Sequence, residues 1–122
     1  MMEIIDAGSD FVLGIRMDGK IEIEDMNRVS TRVQEMLEEH DKIRIYVELE
    51  SLGGITLEAL WEDMKLGLQN FRHFSHKVVV TDKEWIGKVT PFLDRLFPSI
   101  KLRVFGREER EAALAWVRAD ED

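Results

Sequence analysis

Hydrophobic and polar positions along the chain divide it into short elements. Phe11 to Met17 reads as an apolar run with Gly14 inside it, and Asp18-Gly19 follows as a turn signal before Ile21 and Ile23, which predicts a hairpin-like opening. From Glu24 to His40, Met26, Val29, Val33 and Leu37 recur at spacings of three and four. Glu22, Glu24 and Asp25 stand where a helix N-terminus favours negative charge, so this stretch predicts a first helix. Ile43, Ile45, Val47 and Leu49 then alternate with Arg44, Tyr46, Glu48 and Glu50, the period of a strand with one dry face and one wetter face.

Gly53-Gly54 breaks the backbone, and Thr56 is placed to cap a second helix ending near His73. Leu57, Leu60, Trp61, Met64, Leu68 and Phe71 give it an apolar stripe. Val78-Val79-Val80 has the β-branched character of a central strand buried on both faces. A third helical region over 83–97 is broken at Thr90-Pro91, where proline fits a first helical position. Ile100, Leu102 and Val104 predict the last strand, and Arg107 to Arg118 a closing helix with Ala113, Leu114 and Val117 inward. The order is β-β-α-β-α-β-α-β-α. It predicts an α/β fold with a mixed, mostly parallel sheet of about five strands, right-handed crossovers and four helices mainly on one face.

Size fits a single domain spanning residues 1–122. Without cysteine there is no disulfide, thiolate nucleophile or cysteine-based metal site. The acids Glu3, Asp6 and Asp10 near the start argue against a secretory signal, and no apolar run approaches the roughly 20 residues of a membrane span, so the expected location is cytoplasmic. A net charge of −8 disfavours nucleic acid as a partner, because affinity for a phosphate backbone comes largely from cations. Locally the sign reverses: Lys77, Lys83, Lys88, Arg95, Lys101, Arg103, Arg107 and Arg110 gather in the last third. The plain reading makes them solvated faces of strands and helices, and the alternative is an anionic headgroup or acidic partner.

Candidate chemistry is sparse. Three strand ends deliver Glu50 to Gly54, Thr81 to Trp85, and Phe105 to Arg107 to one rim of the sheet, where open α/β sheets bind ligands. Gly53-Gly54 matches neither a Walker loop nor a dinucleotide fingerprint and reads as a turn. His73 and His76 lack a third ligand at a diagnostic interval, so no metal site and no cofactor is assigned. Glu50 and Asp82 could in principle do acid–base work, but no histidine or serine completes a relay with them, and capping and solvation describe them better.

The order of elements, together with Val47 to Gly54, Val79 to Ile86 and Val104-Phe105 through Ala115-Trp116, resembles the SpoIIAA-like family of the STAS type, the fold of bacterial anti-sigma-factor antagonists. Two functions follow from the resemblance. Members whose helices open over an apolar cavity look similar to lipid carriers, which would assign Trp61, Met64, Leu68, Trp85, Val89, Phe92 and Leu93 to a lipophilic ligand-binding pocket, with Gly67, Gly87 and the Thr90-Pro91 break loosening its roof. Antagonists proper are instead switched by phosphorylation of a serine at a helix start. That helix start reads Gly54-Ile55-Thr56-Leu57 here, without the Asp-Ser-Ser-Gly stretch, which leaves Thr56 as the nearest positional match and Ser51 a few residues early. The leading expectation is therefore a non-enzymatic binding module for a small lipophilic molecule, with peripheral membrane contact. The second is a regulator with a protein partner. A homodimer through the wetter sheet face or an edge strand fits either.

Overall fold

A computed structural model describes residues 1–51, 74–82 and 101–119. Its elements are β1 (Met2–Ile5), β2 (Val12–Asp18), α1 (Ile23–Leu37), β3 (Ile43–Ser51), β4 (Phe74–Thr81), β5 (Lys101–Gly106), a 3-10 turn (Arg107–Glu109) and α2 (Arg110–Arg118). They make one five-stranded sheet in the order β1-β2-β3-β4-β5. β1 runs antiparallel to β2, and β2 to β5 are mutually parallel, so the sheet is mixed and mostly parallel as the sequence predicts. Two of the four expected helices are among the described residues. The other two, over Thr56 to His73 and over 83–97, lie outside them.

The opening hairpin differs from expectation. Its strands are Met2–Ile5 and Val12–Asp18, whereas Asp18-Gly19 turns the chain into α1 and Ile23 is already helical. The turn demands Gly19, whose φ of +74° is costly for any residue with a Cβ. Its N–H donates to the Ser51 carbonyl, which joins the turn to β3. Gly14 is needed for closeness: a Cβ there would lie 2.6 Å from the Ile5 carbonyl oxygen of the paired strand.

The helix begins where charge favours it. The Asp25 carboxylate accepts the Glu22 N–H at 2.9 Å, and Arg28 bridges Asp25 to the Met2 carbonyl, tying the first turns of α1 to β1. Val29, Val33 and Met36 then point inward, onto Leu13, Ile15 and Met17 of β2 and Ile43, Ile45 and Val47 of β3. Burial of each valine or isoleucine in this layer stabilises the fold by about 1.5–3 kcal/mol.

The expectation that the other face of the sheet is wetter requires correction. Of the two described helices, α1 covers one face and α2 the other. Ala113 and Val117 of α2 pack with Val12, Tyr46, Val78, Val80 and Phe105. Tyr46 is fully buried and Glu48 is 5% exposed, so the supposedly wet face of β3 is largely dry. The cause is topological. Handedness constrains a connection between parallel strands, whereas the chain after β5 leads to no further described strand and can return beneath the sheet. Val78, Val79 and Val80 are buried on both faces, as predicted. The reading of the late cations as solvated is wrong for Lys77, which is 8% exposed on the face that α1 covers.

Candidate functional site

The carboxyl ends of β2 to β5 share one rim because these strands run parallel, and α2 starts immediately after β5 at the same rim. On the α2 side of the sheet, alternation brings Arg16 of β2 and Glu48 of β3 together in register. Arg16 Nε donates to Glu48 Oε1 at 3.0 Å and Nη1 to Glu3 Oε1 at 3.2 Å. Arg110, the first residue of α2, places Nε 2.7 Å from Glu48 Oε2 and donates to the Tyr46 hydroxyl at 3.3 Å. Tyr46 in turn donates its O–H to Glu48 Oε2 at 2.8 Å. One buried carboxylate is thus held by two guanidiniums and a phenol.

Along the rim, Arg107 lies 3.2 Å from Glu50 Oε2 and 3.9 Å from Asp82 Oδ2, and it donates to the Glu50 carbonyl. The expected convergence of Glu50, Asp82 and Arg107 is therefore present. These groups adjoin a pocket of about 240 Å³ lined by Arg16, Glu48, Glu50, Val80, Arg107 and Arg110. On the β2 side, Ser51 donates to Asp18 Oδ1 and accepts the Gly19 N–H, each at 3.0 Å.

These surroundings set the protonation states. Burial opposes ionisation of Glu48, but the hydrogen bonds from Tyr46 and Arg16 and the charges of Arg110 and Arg16 outweigh it, leaving the carboxyl below its ordinary range. Burial, and then the bond to Glu48, push the Tyr46 hydroxyl up to about 12. Neither group exchanges a proton readily near neutral pH, so the cluster is suited to holding charge and ill suited to proton transfer.

Of the residues assigned from sequence, Ser51, Glu50 and Asp82 are in place at the rim. Thr56, Trp61, Met64, Leu68, Trp85, Val89, Phe92 and Leu93 lie outside the described residues, as does His73. His76 is buried in β4, edge-on to Trp116 at 5.4 Å, and among the described residues no group of acids or histidines is arranged to hold a metal. The Arg16–Glu48–Tyr46–Arg110 cluster was not found by sequence reasoning. An arginine inside the apolar run of β2 was the one local signal, and Arg110 is 62 positions from Glu48 with nothing in the pattern to join them.

The fold and rim define an open α/β domain whose mostly parallel sheet gathers its strand ends at one charged edge. The SpoIIAA-like family model matches residues 12–118, and the chain belongs to that family. It is similar to the crystal structure of an uncharacterised DUF3478-family protein with a SpoIIAA-like fold from Shewanella loihica PV-4, at 25% identity and a TM-score of 0.68, covering 96% of this chain and 92% of that one. No curated protein matches the sequence. Among the described residues no helix is long and apolar enough to cross a membrane.

Proposed function

We propose that this chain is a non-enzymatic binding module that holds a small lipophilic molecule against the face of the sheet that α1 covers. The observation that carries the reading is the largely apolar character of that face, through Leu13, Ile15 and Met17 of β2, Ile43, Ile45, Val47 and Leu49 of β3, and Val79 of β4, with Lys77 as a buried cation among them. The two segments joining the parallel strands β3, β4 and β5 carry Trp61, Met64 and Leu68 in one and Trp85, Val89, Phe92 and Leu93 in the other, a bulky apolar supply of the kind that lines ligand pockets. The chemistry of the rim supports binding over catalysis, since Glu48, Glu50 and Asp82 each have an arginine within ion-pair distance.

Native mass spectrometry of protein purified from cells, followed by solvent extraction, is expected to release a lipophilic molecule. The stripped protein is expected to bind a long-chain fatty acid or a hydrophobic dye, with affinity falling about tenfold in Trp61→Ala and Trp85→Ala. Protein that emerges ligand-free and binds neither probe refutes the proposal.

A second reading, a phospho-regulated protein-interaction module of the antagonist type, draws on the setting of Ser51. Its hydroxyl links Asp18 to the Gly19 turn. A phosphate there would add a charge of about −2 beside a carboxylate and part β3 from the start of the α1 connection. Under this reading Ser51→Glu or Thr56→Glu reduces recovery of a protein partner in pull-downs, whereas unchanged partners in both variants exclude the switch.

A further inference from the structure

The pocket at the rim combines concavity with an excess of hydrogen-bond donors. Three of its six lining residues are arginines, against two carboxylates, in a chain whose overall balance is −8. Each guanidinium carries five N–H donors. Arg16 uses Nε and Nη1, Arg107 uses Nη2, and Arg110 uses Nε. Arg16 Nη2, Arg107 Nε and Nη1, and both terminal nitrogens of Arg110 make no hydrogen bond among the described residues. Both oxygens of Glu48 are engaged, and Glu50 Oε2 lies 3.2 Å from Arg107. Asp82, at 3.9 Å from Arg107, balances charge without reaching hydrogen-bond distance.

Such a surface favours a group that only accepts hydrogen bonds. The three arginines come from β2, from the 3-10 turn and from the first residue of α2, so they approach the pocket from different directions. Convergence of that kind suits a tetrahedral oxyanion with several oxygens, since guanidinium forks pair with phosphate oxygens in bidentate fashion. At about 240 Å³ the pocket is smaller than the roughly 300–1,000 Å³ of sites for drug-sized ligands, so what enters it is small. We propose that Arg16, Arg107 and Arg110 form a binding site for a phosphoryl group, on the opposite face of the sheet from the proposed lipophilic site and independent of it.

The test is titration of the isotopically labelled full chain with inorganic phosphate, followed by amide and arginine Nε–H nuclear magnetic resonance. Sodium chloride at matched ionic strength and sodium acetate serve as parallel arms. Saturable shifts centred on Arg16, Arg107 and Arg110 with phosphate alone are expected. Arg107→Ala should weaken phosphate at least tenfold, and Arg107→Lys should recover part of the loss. Arg107 and its partner Glu50 are 47% and 35% exposed at the side chain, so this substitution leaves the fold in place. Shifts that do not saturate, shifts reproduced by chloride, equal binding of acetate, or wild-type affinity in Arg107→Ala would each overturn the assignment.

Discussion

Replacing Glu48 with alanine is expected to lower the free energy of unfolding by about 3 kcal/mol. Removing one partner of a buried ion pair costs about 3–5 kcal/mol when the remaining charge stays buried. Here Arg16 and Arg110 are 37% and 48% exposed at the side chain and recover solvation, which places the effect at the lower end. The Tyr46 hydroxyl does not recover as easily, because Tyr46 is fully buried and loses its acceptor. Arg16→Ala or Arg110→Ala alone should cost about 1 kcal/mol, since each leaves Glu48 with the other arginine. Urea denaturation at neutral pH measures all three, and a Glu48→Ala loss no greater than that of Arg16→Ala would show that the cluster is not centred on the carboxylate.

The same group fixes an acid limb. Its folded pKa lies below the ordinary 4.5, so its stabilisation is complete above that value and is lost as pH falls from about 4.5 through the folded pKa. The difference between wild type and Glu48→Ala should therefore narrow in that window and stay constant above it.

Lys77→Met is expected to stabilise the protein at pH 7, by up to about 3 kcal/mol. Burial lowers the ammonium of Lys77 to about 8 from an ordinary 10.5, and that gap sets the ceiling. A lysine depressed in this way destabilises the fold fully below pH 8, and the penalty is relieved as pH rises from about 8 to 10.5, because the unfolded chain then binds more protons than the folded one. Wild type should gain on the variant across that interval and meet it near pH 10.5. Unfolding curves at pH 7, 9 and 10.5 decide the matter. A variant less stable than wild type at pH 7 would mean that the contacts of the ammonium outweigh its burial. If the gain is found, the cation has been kept in the buried interior for a reason other than stability, which is the pattern expected of a functional position.

How much of this was legible in the sequence depended on the range of the signal. β3 and the valine run of β4 were read correctly because a two-residue alternation and a β-branched cluster are properties of neighbouring residues. α1 was found to within a few residues for the same reason, through Val29 and Val33 and the acids that precede them. β1 was missed because Met2-Glu3-Ile4-Ile5 is too short to show a period, and Asp18-Gly19 was misread because the same dipeptide serves a hairpin or a turn into a helix. The burial of Tyr46, Glu48 and Lys77 depends on where α2 and the strands meet in space. Polar residues at alternate strand positions look solvated until a helix from the far end of the chain covers them. The convergence of Glu50, Asp82 and Arg107 was legible because parallel strands oblige their carboxyl ends to meet. The spare arginine N–H donors at the rim were not, since they depend on which of those side chains already share a partner.

The position of α2 also bears on how the chain is made. Strand order follows chain order, so each new strand leaving the ribosome finds its partner already waiting, and the sheet can assemble by successive addition. The layer over Tyr46, Val78, Val80 and Phe105 arrives after all five strands, with Ala113 and Val117 of α2. Until then a nascent chain carries a greasy, sticky underside. The arginine latches at either end of α2, Arg110 on Glu48 and Arg44 on the carbonyls of Val117 and Ala119, can close that layer only once α2 has emerged.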